Sequence, residues 1–242
     1  MTHLPILNVD ASEIPENLLV VGDPNRLQRV SALLSDVEAV SQNREYHAIR
    51  GTYQGKPVGA VSHGVGSAGA GACFEELCRS GASRIVRAGS AGGMQPGVGA
   101  GDVIIAHAAV REDGLSPKLV PPTYPAIAAP DLVLAMRTAA SAAGVNVREG
   151  TILTSDLFYP HDVLGSDLPL WQKAGVIAVE MEAATLFVVC ALHGVEAGAV
   201  LAVDGNPLEQ DEGNMDTYDP HRDIVSQAVE QSIQVGLEAL IS

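Results

Sequence analysis

Two carboxylates stand one residue apart where an apolar strand pattern leads into an apolar helix pattern. Glu180 and Glu182 follow the strand at 176–179, and the helix begins at residue 183. In parallel α/β proteins, ligands bind at the carboxyl ends of strands, where the chain turns into a helix. Negative charge also suits the N-terminus of a helix, so a structural role stays open. A carboxylate flanked by Val, Met and Ala nevertheless needs a partner, and a ligand hydroxyl is a suitable one.

Arginines beside apolar strands indicate an anion site. Arg26 follows one such strand, and Arg87 lies among apolar residues and glycines, where an unpaired guanidinium is costly. Salt bridges could supply the anion, since the chain has 29 acidic residues. An arginine fork also binds phosphate through two parallel hydrogen bonds. Candidates to complete a phosphate site are the amides of Gly22 and Gly89 and the hydroxyl of Ser90.

A third candidate, Asp204, closes an apolar strand and is followed by glycine. Such a residue is expected in a partly dry pocket, where burial raises the pKa of a carboxyl and keeps it protonated as a general acid. Capping of its own turn before Pro207 is the structural alternative. Phe158 and Tyr159 end another strand, and they are either core residues or a stacking face for a heterocycle.

The spacing Gly64-x-Gly66-x-x-Gly69, between a strand and a helix, matches the dinucleotide fingerprint. That site also requires an acid about 20 residues further on, but residues 77–101 contain neither Asp nor Glu. Close backbone approach to another ligand, or tight helix packing, is therefore the favoured interpretation. The sequence contains no Gly-x-Ser-x-Gly elbow and no HExxH spacing, so we expect neither serine catalysis nor a metal site.

Strand and helix patterns alternate along the whole chain, which predicts an α/β fold with a mostly parallel sheet covered on both faces. The strands are predicted at 18–21, 46–53, 58–62, 84–88, 101–109, 145–153, 176–179 and 198–203, and the helices at 26–34, 70–79, 130–143, 183–192 and 223–240. A Pro-rich loop separates two of these elements at 116–130, and the acidic stretch 209–219 is predicted to be a mobile loop. Without repeats or linkers, residues 1–242 are expected to form one domain.

Composition excludes several classes of protein. The net charge of −15 and pI near 4.7 argue against binding to nucleic acid or to an anionic membrane surface. No apolar run approaches 18 residues and no signal segment is visible. The odd set Cys73, Cys78 and Cys190, without a CxxC pair, predicts buried thiols in a reducing compartment. We therefore expect a cytoplasmic protein.

Seven motifs in order resemble the nucleoside phosphorylase-I family, over residues 3 to 225. They are Val-Gly-Asp-Pro-x-Arg (21–26), Asn-Arg-Glu-Tyr (43–46), Ser-His-Gly-Val-Gly-Ser (62–67), Arg-Ala-Gly-Ser (87–90), Ser-Asp-x-Phe-Tyr-Pro (155–160), Val-Glu-Met-Glu (179–182) and Val-Asp-Gly-x-Pro (203–207). Within that family the chain is similar to the hexameric purine nucleoside phosphorylases of protozoan parasites. The resemblance implies a three-layer α/β/α fold with a mixed, mostly parallel central sheet.

The resemblance also implies a role for each motif residue. Phosphate would be held by Gly22, Arg26, Arg87 and Ser90, with Arg44 from the neighbouring subunit. The ribose would contact Met181 and Glu182, with His3 of the other chain at the 5′-hydroxyl. The base would lie against Val65, Tyr159 and Val179, and Asp204 would protonate N7. The assembly implied is a hexamer, a trimer of dimers with shared sites.

The implied activity is reversible phosphorolysis of purine nucleosides, inosine and guanosine, with inorganic phosphate as co-substrate and without metal or cofactor. Uridine phosphorylases follow Phe-Tyr-Pro with a Gln and an Arg that read uracil, whereas this chain has His161, Asp162 and Val163. Nucleosidases of the same fold use water and lack the arginines. The parasite enzymes carry a Trp where this chain has Gln210, which leaves open whether adenosine and 5′-methylthio nucleosides are accepted.

Overall fold

The computed structural model describes residues 2–209 and 218–242. Its strands are β1 (His3–Leu4), β2 (Val9–Asp10), β3 (Asn17–Val21), β4 (Ser35–Asn43), β5 (Tyr46–Tyr53), β6 (Lys56–Ser62), β7 (Arg84–Gly93), β8 (Val103–Glu112), β9 (Ala126–Ile127), β10 (Val147–Ser155), β11 (Ala178–Glu180) and β12 (Glu196–Gly205). Its helices are α1 (Arg26–Ser31), α2 (Ser67–Arg79), α3 (Ser116–Leu119), α4 (Pro130–Ala142), α5 (Leu168–Lys173), α6 (Ala183–His193) and α7 (Asp223–Leu240). Gln210 and most of the predicted mobile loop at 209–219 lie outside the described residues.

All strands from β3 to β12 belong to one mixed sheet. Its order is β11-β10-β8-β12-β7-β3-β6-β5-β4, with β9 paired to β8. The pairs β3–β6, β3–β7, β7–β12, β8–β10 and β10–β11 are parallel, whereas β4, β5 and β6 form an antiparallel meander. Because β11 also pairs with β7, the strands β7, β12, β8, β10 and β11 close into a ring. This closure brings the ends of β7, β11 and β12 together.

Helices cover both faces of the sheet, so the predicted three-layer α/β/α arrangement is confirmed. Helices α2 and α6 pack on one face, around Phe74 and Phe187. Helices α1, α4 and α7 pack on the other, with Met136 and Ile233 in that core. Helix α6 is apolar on nearly all sides because it lies between the sheet and α2. It ends at Gly194, whose φ of 70° is a left-handed cap.

Several boundaries differ from the sequence-based expectation. Strand β4 was not predicted, because it is an edge strand whose side chains are mostly exposed and show no apolar alternation. Strand β7 runs on to Gly93 rather than stopping at Ala88. Two short elements, α3 and β9, lie within the predicted Pro-rich loop.

The three cysteines are free and buried, as predicted. Within the described ranges, no helix combines the length and the apolar character needed to cross a bilayer.

Candidate active site

A cavity of about 840 Å³ lies where the C-terminal parts of β7, β10, β11 and β12 meet the loops that follow β3, β6, β10, β11 and β12. Ten of the twelve residues predicted for the site line it: Gly22, Arg26, Val65, Arg87, Ser90, Tyr159, Val179, Met181, Glu182 and Asp204. The carboxyl ends of neighbouring strands therefore converge as the α/β pattern predicts. His3 and Arg44 do not line the cavity.

Arg87 lies at the base of the cavity in a buried cluster with two carboxylates. Its side chain is 4% exposed, and its Nε donates a hydrogen bond of 3.2 Å to Oε2 of Glu180. Its Nη2 lies 3.1 Å from the same oxygen and donates to Oε2 of Glu182. Burial alone would lower the pKa of Arg87, but the charges of Glu182 and Glu180 raise it above its ordinary value. Arg87 therefore forms salt bridges with acidic side chains of the chain, which was the structural alternative to binding a phosphate.

Gly89 makes room for this arginine. A Cβ built on Gly89 would lie 2.6 Å from Cζ of Arg87, which is closer than real Cβ contacts. The guanidinium therefore occupies the space into which a side chain at position 89 would point, and a larger residue there would have to displace it. The glycine of the Arg-Ala-Gly-Ser motif therefore leaves space for the side chain of Arg87. A contact between the amide of Gly89 and a ligand stays a prediction.

The two glutamates have different surroundings. Glu180 accepts hydrogen bonds from the hydroxyl of Thr154 (2.6 Å) and from the amides of Glu182 (2.9 Å) and Ala183 (2.9 Å). These bonds fix the start of α6. Glu182 accepts a bond of 2.6 Å from the amide of Gly66, and its other oxygen faces Arg87. Burial raises the pKa of Glu182, while the charge of Arg87 opposes that rise.

Two glycines of the triplet lie in the loop between β6 and α2. Gly64 and Gly66 have φ values of 75° and 91°, which glycine adopts without strain. A Cβ on Gly64 would lie 2.8 Å from Cγ of Glu45. Because the amide of Gly66 donates to Glu182, this part of the triplet positions a carboxylate of the cavity, and close approach of the backbone to a ligand stays a prediction.

Arg26 is a second cation that lines the cavity. It begins α1, and its Nη1 donates a hydrogen bond of 3.0 Å to the carbonyl of Ala88. No carboxylate of residues 2–209 or 218–242 forms an ion pair with it. Burial and the neighbouring charge of Arg87 lower the pKa of Arg26 to about 10. An incoming anion would favour the charged form of Arg26 and so oppose both effects.

Asp204 closes β12 and is 9% exposed. Burial raises the pKa of its carboxyl above the ordinary value, and a hydrogen bond from Tyr218 opposes that rise. The hydroxyl of Tyr218 donates to Oδ2 of Asp204 over 2.7 Å. A buried carboxyl with a raised pKa fits the general-acid expectation. No sequence motif indicates Tyr218 as a partner of Asp204.

The rim of the cavity is apolar and open to solvent. Tyr159 is 70% exposed and Phe158 is 48% exposed, so neither is a core residue. Their rings contact edge to face, with centroids 4.9 Å apart. Val65, also exposed, lines the same cavity. This arrangement favours the stacking interpretation of the aromatic pair, since flat apolar surface remains available to a planar ligand.

His63 is a further residue that sequence reasoning did not single out. It is fully buried, and its Nε2 lies 3.3 Å from Nη1 of Arg87. Burial and the charge of Arg87 hold the pKa of His63 well below its ordinary value, so the ring is neutral and accepts a hydrogen bond from the arginine. Among the described side chains, no three of His, Cys, Asp or Glu are grouped so that they could hold a metal ion.

His3 and Arg44 lie elsewhere on the surface. His3 is in β1, with Nδ1 3.7 Å from a carboxylate oxygen of Asp10. Arg44 is exposed at the turn between β4 and β5, with a φ of 55°. A role for either residue in the cavity would require a second subunit, so both assignments stay predictions.

Comparison with known proteins gives a consistent result. Residues 17–242 match the family model described as the phosphorylase superfamily. The chain is 41% identical over 222 residues to the purine nucleoside phosphorylase of Plasmodium vivax, covering 91% of this chain and 89% of the relative. Purine nucleoside phosphorylase from Toxoplasma gondii in complex with immucillin-H superposes with a TM-score of 0.94 at 32% identity, over 99% and 96% of the two chains.

Uridine phosphorylase from Vibrio fischeri superposes with a TM-score of 0.90 at 29% identity, covering 100% of this chain and 97% of that one. The relationship to nucleoside phosphorylases that the motifs predicted is confirmed. The fold, the site at the strand ends and these similarities agree that this chain belongs to the phosphorylase superfamily.

Proposed function

We propose that this chain is an enzyme that catalyses reversible phosphorolysis of purine nucleosides, such as inosine and guanosine, to the free base and ribose 1-phosphate. The observation that carries the proposal is the pairing, in one cavity, of a cation that forms no ion pair within the described residues and a buried carboxyl of raised pKa. Arg26 is that cation and Asp204 that carboxyl. The 41% identity to a purine nucleoside phosphorylase supports the choice of substrate.

Phosphate binds at Arg26, with the amide of Gly22 and the hydroxyl of Ser90 beside it. The charge of Arg87 is balanced by its ion pairs with Glu180 and Glu182, so Arg26 supplies the positive charge of the phosphate site. A phosphate held there supplies an oxygen at high effective concentration to C1′ of the nucleoside. The bond from C1′ to N9 of the purine then breaks as the sugar gains oxocarbenium character.

Asp204 gives its proton to N7 of the leaving purine, which neutralises the charge that arrives on the base. Glu182 accepts hydrogen bonds from the 2′- and 3′-hydroxyls, beside Met181. These bonds strengthen as positive charge grows on the sugar, so they stabilise the transition state more than the ground state. The ion pair with Arg87 and the amide of Gly66 hold the Glu182 carboxylate in place.

The base lies against Val65, Val179 and Tyr159. Uridine phosphorylase is the second candidate, because the Vibrio fischeri enzyme has a similar fold. This chain lacks the Gln and Arg expected after Phe-Tyr-Pro in uridine phosphorylases, since His161, Asp162 and Val163 stand there. The presence of Asp204 also favours a purine, whose N7 can take a proton.

The remaining features of the proposal concern assembly and location. The enzyme is a hexamer, a trimer of dimers, in which His3 and Arg44 reach the cavity of a neighbouring subunit. Residues 1–242 act as one catalytic domain in the cytoplasm. Inorganic phosphate is a co-substrate, and the reaction uses no metal or other cofactor. No nucleic acid or membrane partner is involved.

The test is to identify the sugar product by ³¹P NMR after incubation of inosine with phosphate. Ribose 1-phosphate should form, and hypoxanthine with ribose 1-phosphate should give inosine back. Free ribose as the product would identify a nucleosidase instead. Conversion of uridine in preference to inosine would favour the second candidate.

A further inference from the structure

The carboxyl of Asp204 has a tyrosine partner that no motif of the sequence indicates. The hydroxyl of Tyr218 donates a hydrogen bond of 2.7 Å to Oδ2 of Asp204, across 14 positions of sequence. Both residues line the cavity. Asp204 closes β12, whereas Tyr218 stands before α7, so the contact joins two separate parts of the chain at the general acid.

We propose that Tyr218 is a positioning residue for Asp204, whose hydroxyl holds Oδ2 so that Oδ1 carries the proton toward N7 of the base. The inference rests on the proposed function, because it assigns Asp204 the role of general acid. A carboxyl group that is held through one oxygen keeps its other oxygen in a fixed direction, so the proton donor is already oriented for transfer when the base binds.

The contact also changes strength during the reaction. Before transfer, Oδ1 of Asp204 bears the proton. When the proton passes to N7 and the bond from C1′ to N9 breaks, Asp204 becomes a carboxylate. A hydrogen bond from a hydroxyl to a carboxylate is stronger than one to a neutral acid. The proton that phosphate loses on forming its ester returns to Asp204 through solvent, and Tyr218 keeps its own proton throughout.

Tyr218 is suited to donate rather than to ionise. Burial and the charge of Asp204 raise the pKa of its phenol above the ordinary value, so the hydroxyl stays protonated at neutral pH. Other charged groups also face Asp204, namely Arg26 from α1 and Arg222 from the segment before α7. Tyr159, from the loop after β10, faces Tyr218. Tyr218 and both arginines favour the ionised form of Asp204, while burial disfavours it.

The experiment compares Tyr218→Phe with the wild type in two ways. The ¹³C NMR titration of the Asp204 carboxyl, assigned by its loss in Asp204→Asn, should move its midpoint up by about one pH unit, because a donor to the charged form is removed. A general acid works in its protonated form, so the alkaline limb of kcat/KM for inosine should move to higher pH by the same amount. We expect kcat to fall about tenfold, with a smaller change in the KM for inosine.

The control is Tyr124→Phe, which removes a phenol outside the cavity and should shift neither midpoint. An unchanged Asp204 titration in Tyr218→Phe, in a protein whose wild type phosphorolyses inosine, would overturn the inference alone. A shifted titration with an unmoved alkaline limb would also overturn it. A wild type that leaves inosine intact would overturn the proposed function first, and this role of Tyr218 with it.

Discussion

Replacing Arg26 by alanine should impair phosphate binding while leaving the fold nearly as stable. The side chain makes one hydrogen bond, to the carbonyl of Ala88, and no ion pair with any carboxylate that the structure describes. Burial and the charge of Arg87 disfavour its charged form, whereas the charges of Asp23 and Asp204 favour it. Loss of a single hydrogen bond costs about 0.5–1.5 kcal/mol, and relief of the repulsion offsets part of that cost.

The effect on phosphate should be much larger. A hydrogen bond to a charged partner contributes about 1.5–3 kcal/mol, and each 1.4 kcal/mol is a factor of ten in affinity. Arg26→Ala should therefore raise the KM for phosphate about 10- to 150-fold. The KM for inosine should stay close to that of the wild type, because Arg26 faces the phosphate rather than the nucleoside.

The assay measures initial rates of hypoxanthine release against phosphate at saturating inosine, and then against inosine at saturating phosphate. Thermal unfolding at one protein concentration gives the change in stability. Arg87→Ala is the matched control, since it also removes an arginine from the cavity. It leaves Glu180 and Glu182 buried without a cation, so it should cost about 3–5 kcal/mol, or about 6–20 °C in Tm.

Two results would refute this reasoning. An unchanged phosphate KM in Arg26→Ala would mean that the guanidinium of Arg26 does not bind phosphate. A fall in Tm as large as that of Arg87→Ala would mean that Arg26 has a stabilising partner after all.

Three further predictions concern other groups. Asp204→Asn should lower kcat for inosine phosphorolysis by about 10² to 10⁴, because an amide cannot give a proton. A hydrogen bond from Arg137 lowers the pKa of the Glu149 carboxyl from 4.5 to about 2. The stability that the Glu149 carboxylate contributes is therefore lost as pH falls from 4.5 to about 2. Over this pH range, the Tm of Glu149→Gln should decline less than the Tm of the wild type. Mixing Arg44→Ala with Arg26→Ala subunits should restore activity, because each hybrid dimer contains one intact site.

Each of these predictions has a contrary outcome. Turnover of inosine near the wild-type rate in Asp204→Asn would remove Asp204 from the mechanism. Acid melting profiles that coincide for wild type and Glu149→Gln would show that this carboxylate contributes no pH-dependent stability. Failure of every mixture to recover activity, with subunit exchange demonstrated, would mean that each site is built within one chain.

The position of the site could be predicted from the sequence because polar residues end apolar strands there. Asp204 and Glu182 each follow such a strand, and parallel strands deliver their carboxyl ends to one edge. The partner of Arg87 could not be predicted in the same way. Glu180 lies 93 positions away in sequence, and its contact with Arg87 depends on the register of β11 against β7. That register follows from closure of the sheet, which no local pattern encodes.

Other features escaped prediction for local reasons. Strand β4 lies at the sheet edge with exposed side chains, so the apolar alternation that reveals inner strands is missing. Tyr218 lies near the end of the acidic stretch 209–219, which has no periodicity, and only the folded chain brings it to Asp204. Conversely, α7 spans the predicted residues 223–240, because its apolar residues recur at helical spacing around Val229 and Ile233.

The most direct test of the proposed function is release of base from inosine and from uridine, each with and without phosphate. We predict that inosine is cleaved, that cleavage depends on phosphate, and that uridine is left intact. Cleavage of inosine without phosphate would contradict the role of Arg26, and preferred cleavage of uridine would contradict the proton transfer from Asp204 to N7.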